Sequence, residues 1–295
     1  MKTVVTAAEP EQKQLSPLGL VWLRFKANRA AVASGIVLLI LIFMAIFAPF
    51  ITKASYEAQN YLDRGLETPS SEFWFGVDDL GRDFFSRIVY GARVSLTIGF
   101  ASAFFSVLIG IPLGALAAYY GGWVDWFVMR VIELFSVVPP LLAAMLLGAL
   151  TRGGFLTVVL IASLFGWVQV CLLVRAQVKA FKEKEFVRAA VALGGSPAYV
   201  IRRHLLPNSI SPIIVGFVLA IPLAMMLEAG LSFLGIGVQP PVPSWGQMIN
   251  VGMNFMFFYW HMAVFPTVAL AITVLATTFF GDGLRDALDP TLKDR

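Results

Sequence analysis

Apolar positions along the chain gather into six long runs with polar stretches between them. The runs lie at about 30–51, within 94–124, and at about 126–150, 155–174, 212–235 and 262–280. Each can cross a bilayer as a helix, which takes roughly 20 residues. Between the fourth and fifth runs the pattern changes. Phe186, Ala189, Ala190 and Leu193 fall at i, i+3, i+4 and i+7, so a short helix there has one narrow apolar face. Gly194-Gly195 is expected to stop it, because glycine accepts the left-handed conformation of a C-terminal cap. Ser196 before Pro197 reads as an N-cap with proline in the first turn. A second short helix should then run to Leu206 and end at Pro207. Small Ala189 and Ala190 on an exposed hairpin suit close approach by another protein.

Composition agrees with a membrane protein. The chain is 58% hydrophobic and 14% charged, against about 45–50% and about 25% in soluble domains. Residues 1–17 lack the apolar core of a signal peptide and are expected to be disordered. The single cysteine, Cys171, lies in an apolar run and is expected to be free and buried. A basic balance of +4 is also found in nucleic-acid binders, but here the positive charge sits beside the spans, where it sets orientation instead. Lys2, Lys13, Arg24, Lys26 and Arg29 precede the first span, and seven basic residues occupy the hairpin loop, against two acidic residues in each. Both segments should be cytoplasmic, which puts both termini inside. The acidic 53–92 loop and the uncharged 236–261 loop then fall outside.

Charges near the spans have several readings. Glu228, with Met225 and Met226 just before it, is either a polar point on a translocation path or a carboxyl hydrogen-bonded to a neighbouring helix. Arg130 and Glu133 sit at i, i+3 as an intrahelical pair. Pro139-Pro140 should kink the third span and Pro222 the fifth. In the outer loop, Asp79 with Arg82 and Asp83 with Arg87 have the spacing of ion pairs along a surface helix, which would support a docking surface for a binding protein. Trp245 is expected to anchor an ordered outer loop at the membrane interface. No phosphate-binding Gly-x-x-x-x-Gly-Lys-Ser/Thr loop occurs, and no catalytic constellation is seen. His204 and His261 fall on opposite sides of the membrane and cannot share a metal ion.

The hairpin resembles the coupling motif of the membrane subunits of ATP-binding-cassette importers, a pattern of Glu-Ala-Ala, three residues, Gly, nine residues, then Ile-x-Leu-Pro. Ala189, Ala190, Gly194, Leu206 and Pro207 match at that spacing, whereas Arg188 stands for the usual Glu and His204 for the usual Ile. Three further segments resemble the dipeptide/oligopeptide/nickel permease family, specifically its C-type subunit. They are the run from Phe75 to Leu96, the run from Leu231 to Met248, and Gly-Asp-Gly-Leu-Arg-Asp-Ala-Leu-Asp-Pro ending at Pro290.

The resemblance implies an all-α, six-span protein of the type I importer permease fold with cytoplasmic coupling helices. Its divisions would be a cytoplasmic tail 1–29, a first helix and outer loop 30–92, a permease core 93–285 containing the coupling hairpin 183–207, and a C-terminal tail 286–295. It implies a transport subunit of a bacterial or archaeal inner membrane, without its own cofactor. ATP and Mg would belong to two ATP-binding subunits; the other expected partners are a homologous permease, an extracytoplasmic substrate-binding protein and the lipid bilayer. Coupling would fall to Phe186, Arg188, Ala189, Ala190, Leu193, Gly194, Leu206 and Pro207, and Glu228 and Met225 would be candidates for the path. The cargo class would be di- or oligopeptides, glutathione or nickel. A stand-alone, ion-gradient-driven transporter using Glu228 is the alternative, but the chain shows no matching pair of interrupted spans.

Overall fold

A computed structural model describes residues 16–151 and 153–289. The polar stretch 1–15 and Pro290 with the residues after it lie outside the described residues, as do the expectations placed on them. The elements are α1 (Pro17–Ala27), α2 (Arg29–Ile46), α3 (Phe84–Tyr120), α4 (Gly122–Val137), α5 (Pro140–Thr151), α6 (Phe155–Lys182), α7 (Glu185–Ala192), α8 (Ile210–Phe233), α9 (Trp245–Met253) and α10 (His261–Leu288), with short helical turns between some of them. Five of these helices are long and apolar enough to cross a membrane.

The third span is not one helix. α4 and α5 meet at 84°. Pro140 has no N–H and its ring pushes the preceding residue out of the helical region, and Val138 is already extended at φ −84°, ψ 120°. What the sequence suggests as a kink is a break. At Pro222, by contrast, α8 continues without a break.

The N-terminal segment also differs from a tail. Ser16 accepts a hydrogen bond from the Gly19 amide at 3.2 Å and starts α1; Asn28 accepts one from Ala31 at 3.1 Å and starts α2. α1 is held on the C-terminal helix. Phe25 meets the Phe280 ring edge-on, and Arg24 donates to the Asp289 carbonyl at 2.9 Å.

The centre of the bundle is α3 packed along α6. Gly110 and Gly114, four apart on α3, allow the two backbones to approach closely, as small residues do between membrane helices. A Cβ on Gly114 would lie 2.5 Å from the Cys171 carbonyl oxygen. Cys171 itself is free and fully buried. At 37 residues α3 is about 55 Å long, well beyond the roughly 30 Å hydrocarbon core. It begins ten residues before the apolar run does. Asp83 caps it by accepting from the Ser86 amide at 2.8 Å, and Arg93 donates to the Ala45 and Ile46 carbonyls at 2.8 and 2.9 Å, closing the end of α2.

Candidate functional site

The hairpin follows α6 directly. Lys182 at its base donates to the Tyr119 carbonyl at 2.6 Å. Nearby, Arg175 grips the Asp125 carboxylate with two hydrogen bonds of 2.5 and 2.8 Å, and Lys179 adds a third at 3.0 Å. These bonds fix the starts of α4 and the hairpin relative to the long helices. The sequence does show Arg175 and Lys179 at i, i+4, but their partner is 50 residues away.

α7 ends as its residues dictate. Gly194 has φ +83°, its amide donates to the Val191 carbonyl, and the Gly195 amide reaches back to Ala190 at 3.0 Å. Ser196 then accepts from the Tyr199 amide at 3.3 Å and opens the return segment. Pro207 does not end that segment. The chain widens into a π-helical stretch, Ile201–Leu205, and stays helical through Leu206–Asn208 before α8 begins. The wider turn accommodates a residue that lacks an N–H. Asn208 and Ser209 side chains donate to the His204 and Leu205 carbonyls at 2.5 and 2.9 Å.

Two faces of α7 have different neighbours. Val187, outside the predicted stripe, is the inward anchor and packs with Val174, Val178, Val200 and Leu205. Ala190 is partly buried against that cluster. The other residues of the predicted stripe point outward: Ala189 is exposed, Phe186 is 42% and Leu193 89% exposed. Phe186, Ala189, Leu193, Tyr199 and His204 line an open groove together with the glycine turn. Arg188 is exposed and pairs with Glu183 at 2.6 Å. That hydrogen bond, and then its charge, holds the Glu183 carboxyl below the usual carboxylate range.

At the far end of the bundle the structure corrects the expected charge pairing. Asp78 is the shared acid: its Oδ2 accepts from Arg82 Nε at 2.6 Å and lies 3.3 Å from Arg87 Nε. Its Oδ1 accepts from the Leu80 and Arg82 amides, both at 2.9 Å. Asp78, Arg82 and Arg87 are buried, not on a surface helix, and Asp83 serves as the α3 cap. Asp79 is left exposed, with its pKa raised by partial burial and then by the neighbouring Asp78 charge. Arg87 also donates to the Tyr56 carbonyl at 3.1 Å and so fastens the long loop.

Trp245 is likewise interior. It is 1% exposed and donates its indole N–H to the Ile88 carbonyl at 3.0 Å. It opens α9, a helix that the loop composition conceals.

Glu228 and Met225 are both completely buried. Ser232 donates to Glu228 Oε1 at 2.7 Å and Ser95 reaches Oε2 at 3.5 Å. Each serine oxygen also accepts a loop amide, from Val238 at 3.2 Å and from Trp245 at 3.1 Å. The carboxylate therefore ties α3, α8 and the 236–245 loop together, while Met225 packs in the core beside Ile221 and Trp245. Arg130 and Glu133 pair as their spacing predicts, and both are exposed.

A mostly apolar helical bundle with a short helical hairpin at one end, apolar on its outer face, and a fastened, folded loop system at the other has the architecture of an importer permease subunit. The chain belongs to the binding-protein-dependent transport system inner membrane component family, whose pattern matches residues 110–294. The N-terminal membrane domain of oligopeptide transport permease C matches residues 16–69.

GsiD, a glutathione transport system permease protein of Pectobacterium atrosepticum, is 42% identical over 92% of this chain and 90% of its own length. OppC, the oligopeptide transport system permease protein of Bacillus subtilis, is 38% identical over 97% and 94%. DppC, its dipeptide transport counterpart in the same organism, is 41% identical over 92% and 85%. The inward-facing MetNI methionine transporter shares the fold, with a TM-score of 0.57 at 18% identity over 70% of this chain and 97% of the other.

Proposed function

We propose that this subunit carries peptides inward across the cytoplasmic membrane of a prokaryote, driven by ATP hydrolysis in separate subunits docked on the α7 hairpin. It would pair with a homologous permease and receive cargo from an extracytoplasmic binding protein. Both termini and the hairpin face the cytoplasm. The observation that carries this reading is the outward apolar stripe Phe186–Ala189–Leu193 on a short helix anchored from behind by Val187. The matched relatives, named for glutathione, oligopeptide and dipeptide transport, favour a peptide over nickel as cargo. An ion-gradient mechanism through Glu228 gains nothing from the serine-bound, fully buried carboxylate.

Closing of the ATP-binding subunits would move the hairpin. Its seat on α6 through Val187, with Lys182 tying the end of α6 to Tyr119 on α3, would pass that motion to the spans and bias an inward–outward equilibrium. Ala189→Glu, at an exposed position of the outward stripe, tests the docking role. It places volume and an unpaired charge in a packed interface, costing several kcal/mol of docking energy. The variant should insert normally, lose its ATP-binding subunit on purification and lose ATP-driven uptake. Normal copurification with normal uptake would reject the docking assignment. For orientation, a cysteine at exposed Ser70 should react with an impermeant thiol reagent added outside intact cells, and one at exposed Ser196 should not. The reverse labelling would invert the topology.

A further inference from the structure

A second concave site lies inside the bundle's own membrane-facing surface. α1, α2, α3, α8 and α10 enclose an apolar groove of about 390 Å³. Trp22 and Phe25 from α1, Leu39 and Ile42 from α2, Phe217 from α8 and Phe280 from α10 are among its lining. The Thr277 hydroxyl that borders it is already hydrogen-bonded to the Thr273 carbonyl at 2.7 Å. Lys26 is the single charged residue in the lining. It sits at the start of the groove, its ammonium 5.0 Å from the Trp22 ring centre, and exposed Arg29 opens α2 three residues later.

Length identifies the occupant. The α2 residues lining the groove run from Val32 to Ile42, ten helical rises apart, or about 15 Å of helix. That is about half the roughly 30 Å hydrocarbon core, the depth of one leaflet. The charged end lies where α2 begins, on the same side of the bundle as the hairpin. A single hydrocarbon chain is narrow enough, and the cation stands where its head would emerge.

We propose that this groove holds one acyl chain of an anionic phospholipid from the leaflet on the hairpin side, with Lys26 and Arg29 meeting its phosphate. The bound chain would complete the contact of α1 and α2 with the rest of the bundle. The packing leaves this room by design of its small residues. Gly283 lets α10 touch Ala31, and Gly35 keeps α2 in contact with the Phe280 ring, so the helices meet at one end and the groove opens beyond.

The test uses the assembled importer, exchanged with vesicles of equal phosphatidylglycerol and phosphatidylcholine, then examined by native mass spectrometry. One phospholipid should be retained per copy of this chain, enriched in phosphatidylglycerol. Gly35→Leu, which extends a side chain into the groove, should cut retention about tenfold. Lys26→Glu changes an exposed residue and leaves the packing intact; it should retain a lipid but lose the preference for phosphatidylglycerol by about fivefold or more. A benzophenone side chain at Ile36 should add the mass of one phospholipid to this chain on irradiation. Equal lipid retention and composition in wild type and both variants would overturn the proposal. So would a benzophenone adduct to the partner permease in place of lipid, which would make the groove a protein interface.

Discussion

Asp78→Asn is the sharpest test of the loop end of the bundle, because the structure and the residue spacing assign it different consequences. The carboxylate is shared by two buried guanidiniums, at 2.6 Å from Arg82 and 3.3 Å from Arg87. Asparagine can still accept from the Leu80 and Arg82 amides, so the turn itself should persist. What disappears is the charge that compensates two cations, both nearly excluded from water. Removing one partner of a buried pair costs about 3–5 kcal/mol, and the retained turn argues for the lower end, about 3 kcal/mol. Each kcal/mol moves the midpoint of a 150–250-residue unit by about 2–4 °C and that of this 295-residue chain by no more, so the expected loss is at most about 6–12 °C. Cys171, the single cysteine and fully buried, gives a direct readout: its alkylation by a thiol dye reports unfolding of this chain. Asp79→Asn is the matched control. Its folded-state pKa is raised, so ionisation costs stability above that pKa and the cost vanishes as pH falls through it. Removing the charge should therefore leave the midpoint near pH 7 unchanged or slightly higher. If Asp79→Asn unfolds early while Asp78→Asn tracks the wild type, the shared-acid arrangement is wrong.

Two further substitutions probe other junctions. Gly114→Leu would drive a side chain into the Cys171 carbonyl, 2.5 Å from the first added carbon, and should cost about 3 kcal/mol or more with loss of folded yield; a variant as stable as wild type would show that α3 and α6 do not meet there. Glu228→Gln keeps the size of the side chain and an acceptor for Ser232 while turning an N–H donor toward the Ser95 oxygen, so ATP-driven uptake with the proton gradient collapsed should stay within a few-fold of wild type, whereas Glu228→Ala orphans buried hydroxyls and should destabilise by about 1–3 kcal/mol; abolition of uptake by Gln alone, with normal stability, would make the carboxylate a working ion site.

The reach of local signals is visible in individual residues. The turn at Gly194, the cap at Ser196, the Arg130–Glu133 pair and the burial of Cys171 are all legible from neighbours within four positions, since each rests on one helical turn or one capping bond. The apolar runs are equally plain, because a lipid environment demands long uninterrupted helices. Other features escape such reading. Arg82 lies at i+3 from Asp79 yet pairs with Asp78, because a turn and not a helix carries residues 78–82. Asp125 meets Arg175 across 50 residues, and Trp245 bonds to Ile88 across 157. Val187 gives no sign that it, and not the alanine stripe, faces inward.

By itself, then, the sequence determined the membrane-spanning class, the glycine stop of the first hairpin helix and the serine cap of its return segment, and the match of motifs to importer permeases. These depend on composition and on short-range backbone chemistry. Only the tertiary structure decided that Glu228 is enclosed by serines from α3 and α8, that Trp245 is core, that the third span breaks by 84°, and that α1 folds back onto α10. Each of these depends on which helices become neighbours. A buried polar group must find its partner wherever packing brings one, and chain separation places no limit on where that is.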